Sequence, residues 1–174
     1  DNPDARLIIK YMNGAKWPES IRRMRAAAGE APNIELIGDV LDEDRMNELY
    51  DRADVLLSMH RAEGLGLVIA EAMLRGIPVV ATNFSGSTDF LTTETGIPIG
   101  YHLIPVVDPQ GNYIERDSFW ADPHIDEAAA ALQALRANSH LRERLGRAGA
   151  ALATDFFDPV RYVNQLKGIL KIGT

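Results

Sequence analysis

Four short apolar runs, rich in β-branched residues, alternate with stretches of helical periodicity through the first half of the chain. They are Leu7 to Met12, Ile34 to Ile37, Val55 to Met59 and Pro78 to Ala81, and each gives way to Gly, Asn, His or Thr. Runs with so little polar alternation predict strands covered on both faces. Helical signals fill the gaps. Pro18 stands at a first helical position with Gly29 as the stop; Asp42 caps a second helix whose Met46, Leu49, Tyr50 and Ala53 share one face. A third helix spans residues 67–75, with Gly76 beyond it. Strand, helix, strand with short links implies right-handed crossovers, and so an α/β class with a doubly wound parallel sheet and helices on both faces.

The second half reads differently. Residues 82–120 carry Gly, Ser, Thr and Pro around two short apolar pieces, Leu103 to Val107 and Asn112 to Glu115, and predict a loop plus an edge hairpin turning at Asp108-Pro109-Gln110-Gly111. Three helices follow, over residues 125–138, 139–153 with Ser139 as cap, and 159–171 with Asp158 as cap and Pro159 at the first position. At about 150 residues per domain, 174 residues make one domain. The chain opens at Asp1-Asn2-Pro3 without methionine, which reads as an excerpt from a longer protein.

Composition removes several function classes. With 18 Lys and Arg against 25 Asp and Glu, the net charge of −7 offers no general field for nucleic acid. The absence of Cys removes thiolate nucleophiles, disulfides and Cys-based metal sites, and the four histidines lack zinc-ligand spacing. No metal site is expected. Gly64-Leu65-Gly66 is not a dinucleotide fingerprint, because Ile69 stands where the third Gly belongs, and there is no phosphate-loop Gly-Lys-Ser/Thr. The acidic triplet Asp42-Glu43-Asp44 opens a helix and reads as a cap. No apolar run reaches the roughly 18 residues of a membrane span.

In open parallel sheets ligands lie beyond the carboxyl ends of the strands, which singles out the loops at residues 13–17, 38–41, 60–66 and 82–87. The third, His60-Arg61-Ala62-Glu63-Gly64-Leu65-Gly66, runs into Leu67-Val68-Ile69-Ala70-Glu71-Ala72-Met73-Leu74, a helix apolar almost all round and expected to be buried. A carboxylate there needs a partner, since an unpaired buried charge costs several kcal/mol. Two readings of Glu71 stay open: a pair of ligand hydroxyls, or Arg75 at i+4 on a surface. Gly64 and Gly66 allow close approach of a ligand, and the amides opening the helix favour phosphate or a sugar oxygen. Glu63 would then face the group beyond the phosphates; its bland reading is a solvated loop acid. Ser85-Gly86-Ser87 reads as an ordinary polar turn, and Lys16 and Trp17 as surface.

Taken together, residues 58–67, Glu71-Ala72-Met73, residues 76–82 and Phe84-Ser85-Gly86-Ser87-Thr88-Asp89-Phe90 resemble the group 1 (family 4) glycosyltransferases. The resemblance extends to Leu36-Ile37-Gly38-Asp39-Val40, Trp120-Ala121-Asp122-Pro123 and the closing helix. It implies the C-terminal, donor-binding, Rossmann-like domain of a two-domain GT-B enzyme, with the N-terminal acceptor domain absent. It also implies that the family's first strand and helix, bearing an Arg and a Lys for the diphosphate, precede Asp1. The ligand implied is a GDP- or UDP-linked sugar, with mannose favoured, and the acceptor a glycan or lipid-linked saccharide. By the same resemblance Glu71 binds the ribose hydroxyls and Glu63 the donor sugar near the reacting centre. Gly64, Leu65, Gly66 and Leu67 line the sugar and diphosphate, with His60 and Arg61 beside them, and Gly38 to Val40 meet the base. Transfer would retain anomeric configuration and use no metal or other cofactor. The enzyme would be cytoplasmic, its missing domain reaching the inner membrane, and these residues alone would bind donor weakly and transfer nothing. A nucleotide-sugar epimerase and a non-catalytic nucleotide-binding module are the rival readings.

Overall fold

A computed structural model describes residues 4–108 and 117–171. The chain forms two compact units, Asp1–Leu49 and Tyr50–Thr174.

The first unit is a parallel βαβ arrangement of β1 (Leu7–Lys10), α1 (Pro18–Ala28) and β2 (Ile34–Ile37), with Leu7 opposite Ile34 and Lys10 opposite Ile37. Pro18 occupies the start of α1, where its missing amide costs nothing, and Gly29 closes the helix at φ 57°. Asp42 caps α2 (Glu43–Asp51), its Oδ1 accepting the Arg45 amide at 2.9 Å, so the acidic triplet serves the helix start as its position requires.

The second unit holds β3 (Leu56–Ser58), α3 (Leu67–Leu74), β4 (Val79–Thr82) and β5 (Ile97–Ile99), the strands parallel in the order β3-β4-β5. β4 is covered on both faces. Val80 joins Ile99, Ala128, Ala131, Leu135 and Leu145 in a buried cluster supplied by α4 (Ile125–Ala137) and α5 (Ser139–Phe156). Val79 and Ala81, pointing the other way by strand alternation, are also wholly buried, and α3 packs against both β4 and α5. Each fully buried Val contributes roughly 1.5–3 kcal/mol of apolar burial. α6 (Pro159–Leu170) starts at Asp158, whose Oδ1 accepts the Val160 amide at 3.0 Å. No helix among the described residues is long and apolar enough to cross a membrane.

Three local expectations change. β5 was not visible as a strand because it is only Ile97-Pro98-Ile99; at the sheet edge Pro98 forgoes an amide that no ladder there demands. β6 (Tyr101–Pro105) forms an antiparallel ribbon with β7 (Phe119–Pro123), Tyr101 opposite Pro123 and Pro105 opposite Phe119. The aromatic Phe119 and Trp120 supply its strand propensity, while the turn at Pro109 to Gly111 and the piece at 112–115 lie outside the described residues. The cap of α5 is Asn138 and not Ser139: the Asn138 side-chain oxygen accepts the Leu141 amide at 2.9 Å, reaching the third residue of the helix.

Candidate functional site

The loop from His60 to Gly66 joins β3 to α3. Its last residue, Gly66, is buried in the left-handed region at φ 88°, and a Cβ there would sit 3.2 Å from the Ser87 Cβ. Only glycine makes this entry into α3 without strain. Glu63 folds back on the same loop: its Oε1 accepts the amides of Gly64 at 3.0 Å and Gly66 at 3.2 Å. The turn at Ser85–Asp89 braces the loop from outside, with the Ser85 hydroxyl donating to the Glu63 carbonyl. A side chain at Gly86 would run into the Gly64 carbonyl. Sequence reasoning passed over this brace. The signal was a glycine between two hydroxyl residues just after a strand.

α3 therefore begins at a fixed place, and its leading amides at Leu67, Val68 and Ile69 have no acceptor within the helix. They lie at the positive end of the helix dipole, an arrangement suited to phosphate. Glu63 already occupies the neighbouring Gly66 amide, so an anion settling at this end must share that donor or displace the carboxylate.

The expected burial of Glu71 is corrected. α3 buries Ile69, Ala70, Ala72 and Met73, while Leu67 is 63% exposed, Val68 56% and Leu74 46%, and Glu71 is exposed with them. An apolar sequence says what a helix can bury, not what the fold places over it; α3 packs against α5, β4 and β3, and Leu67, Val68, Glu71 and Leu74 stay exposed. The carboxylate partner is also new. Glu71 Oε2 accepts the Tyr50 hydroxyl at 2.7 Å, whereas Arg75 Nη1 donates to the Glu71 main-chain carbonyl at 3.1 Å. Leu67 and Glu71, four residues apart, share one exposed face about 6 Å apart along the axis.

The remaining expected residues are tied down. His60 bridges Ser58 Oγ, 3.1 Å from its Nδ1, and the Phe84 carbonyl, 3.0 Å from its Nε2. A carbonyl only accepts, so Nε2 carries a proton and donates it to Phe84. Arg61, expected beside the diphosphate, pairs with Asp122 Oδ1 at 2.8 Å, and its carbonyl accepts the Ala121 amide at 2.9 Å, fastening the loop to β7. Leu65 is exposed in the same loop. Gly38 and Val40 belong to the first unit, where a side chain at Gly38 would run into the Tyr11 ring and Val40 is 87% exposed. Lys16 and Trp17 are on the surface, as expected. Among the described residues no group of three or more His, Asp or Glu is placed to hold a metal.

Residues 2–112 match the family model for glycosyl transferases of group 1. The chain belongs to the group 1 glycosyltransferases. Over 104 residues it is 30% identical to the GDP-mannose-dependent monoacylated alpha-(1-6)-phosphatidylinositol monomannoside mannosyltransferase of Corynebacterium glutamicum, a match covering 56% of this chain and 26% of that protein. The crystal structure of the C-terminal domain of a group 1 glycosyltransferase (LpcC) from Francisella tularensis is similar at a TM-score of 0.57 and 22% identity, over 82% of this chain and 63% of that one. Anabaena HepE, crystallised with UDP and glucose, is similar at a TM-score of 0.68 and 18% identity, over 95% of this chain and 40% of that one. The architecture is the Rossmann-like C-terminal domain of GT-B glycosyltransferases. The chain spans about a quarter of the length of the mannosyltransferase it matches.

Proposed function

We propose that this domain holds the nucleotide-diphosphate sugar of a retaining, metal-independent hexosyltransferase, with mannose as the sugar and a glycan or lipid-linked saccharide as acceptor. One observation carries the reading. In a group 1 chain, the α3 amides start at a glycine locked in the left-handed region, and the Glu71 carboxylate stands on the same exposed helix face. The diphosphate takes the amides of Gly66 and Leu67, with the backbone of Gly64 and Leu65 against the sugar; the ribose hydroxyls donate to Glu71. Negative charge developing on the departing diphosphate is met by fixed N–H dipoles, which need no reorganisation as the bond breaks. Glu63, released from the loop amides by the incoming anion, turns to the sugar hydroxyls beside the reacting carbon. His60 and Arg61 keep the loop in register through Phe84, Ser58 and Asp122. Exposure of Glu71 suits this role, since a ligand-binding acid must be reachable before the ligand arrives.

The names of the relatives support a sugar donor carried on GDP or UDP, and a lipid-linked acceptor for one of them. The same proposal has the enzyme working in the cytoplasm and meeting the inner membrane through an acceptor domain. Calorimetry of the 174-residue chain with GDP- and UDP-linked hexoses tests the reading. Saturable binding in the millimolar range, lost in Glu71→Ala, and no sugar transfer are expected. No saturation by any of them overturns the donor site, and micromolar affinity or turnover overturns the view that these residues alone make a weak, incomplete site.

A further inference from the structure

Tyr50 is 8% exposed, and a hydroxyl carried on so buried a ring favours a fixed protein partner. Its partner is the Glu71 carboxylate at 2.7 Å, a charge-assisted bond and hence among the stronger kinds. The ring beneath that hydroxyl is itself held: the Arg75 guanidinium lies 4.4 Å from its centroid, and Arg75 also donates to the Glu71 carbonyl. Burial first, and then the Glu71 carboxylate, push the Tyr50 phenol above its ordinary range, so it stays a donor throughout the physiological range. Tyr50, Glu71 and Arg75 thus form a linked set on the second unit.

An exposed glutamate otherwise samples several rotamers, and ordering it on binding costs free energy. A carboxylate has about four acceptor sites, and the Tyr50 bond uses one of them on Oε2. Oε1 and the second site of Oε2 remain for a pair of vicinal hydroxyls. We propose that Tyr50 is a positioning residue for nucleotide binding, fixing the Glu71 carboxylate in one orientation so that it presents its remaining oxygen sites to the ribose diol. This rests on the proposed role of Glu71 and adds to it a residue 21 positions away in sequence.

The test is chemical-shift titration of the isotopically labelled 174-residue chain with UDP and GDP, and with their 2′,3′-dideoxy forms. Three proteins are compared: wild type, Tyr50→Phe and Glu71→Ala. Phe keeps the ring under Arg75 and removes only the hydroxyl, and the spectrum of each variant reports directly whether it is folded. Tyr50→Phe is expected to weaken binding of the tighter ribonucleotide about 3- to 10-fold, the scale of one lost hydrogen bond. Its effect on the dideoxy form should stay below about 1.5-fold, since without hydroxyls the orientation of Glu71 no longer matters. Glu71→Ala should show a larger loss with the same dependence on the diol. If Tyr50→Phe binds the ribonucleotide like wild type, or weakens both forms equally, while the loss in Glu71→Ala falls on the ribonucleotide and spares the dideoxy form, the positioning role is wrong and Glu71 stands. If Glu71→Ala weakens the ribonucleotide and the dideoxy form equally, the Glu71 reading itself fails. If Tyr50→Phe does not fold, Tyr50→His, which keeps a ring and a polar edge, must recover part of the diol-dependent affinity or the proposal is refuted.

Discussion

Replacing Gly66 with Ala separates the two glycines that the sequence presents as equivalent. At φ 88° an L-residue pays the left-handed penalty, roughly 1–2 kcal/mol. The added Cβ also meets three buried neighbours, Ser87 Cβ at 3.2 Å and Ile69 Cδ1 and Phe90 Cζ at 3.5 Å. Ser87 and Phe90 are fully buried, so the crowding cannot be relieved into solvent, and overpacking of this kind adds about 1 kcal/mol. The total is about 2–3 kcal/mol, which in a chain of this size lowers Tm by roughly 4–12 °C. At Gly64, by contrast, an added Cβ meets nothing within 4 Å and φ is not positive. Thermal melts followed by far-UV circular dichroism should show Gly66→Ala well below wild type and Gly64→Ala within about 2 °C of it. Equal Tm values for the two variants would refute the reasoning, because they would mean that the entry into α3 is not fixed by backbone conformation at Gly66.

Other consequences can be measured the same way. Asn138→Ala removes the α5 cap and should cost about 1 kcal/mol, roughly 2–4 °C, whereas Ser139→Ala should change little. Glu63→Ala leaves the Gly64 and Gly66 amides without their acceptor and should cost about 0.5–2 kcal/mol, read as a lower Tm without loss of helix signal. The Glu127 carboxyl is held below its ordinary range, chiefly by its hydrogen bond with His124 at 2.6 Å and next by the Gly100 amide. A pKa lower in the folded state means stabilisation present above the unfolded value, near pH 4.3, and lost as pH falls through the folded one. The Tm gap between wild type and Glu127→Gln should therefore be present at about pH 5 and shrink as the pH falls further, through the lowered folded-state value; a gap that widens on acidification would contradict the assignment.

What the sequence revealed follows from where its information is local. Pro18, Gly29, Asp42 and Asp158 punctuate helices through their own backbone chemistry, and each stands where its chemistry requires. The parallel strands followed from apolar runs, except β5, where Pro98 hid a three-residue edge strand. The loop at residues 60–66 and the start of α3 were legible because glycine and chain direction are written in sequence. Burial was not. α3 is apolar all round, yet only the fold decides that α5, β4 and β3 pack against it and leave Glu71 open. Partners distant along the chain were equally hidden: Arg61 with Asp122, Ser85 with Glu63, and Tyr50 with Glu71 are separated by 61, 22 and 21 positions. Tyr50 was legible as a core-facing residue of α2; the target of its hydroxyl was not.

The most direct trial of the donor site is a crystal of this chain soaked with GDP- and UDP-linked hexoses. The account predicts that one of them is ordered with diphosphate oxygens on the Gly66 and Leu67 amides and both ribose hydroxyls on Glu71. A nucleotide ordered elsewhere on the domain, or one whose ribose turns away from Glu71 while its phosphates avoid the start of α3, would contradict it.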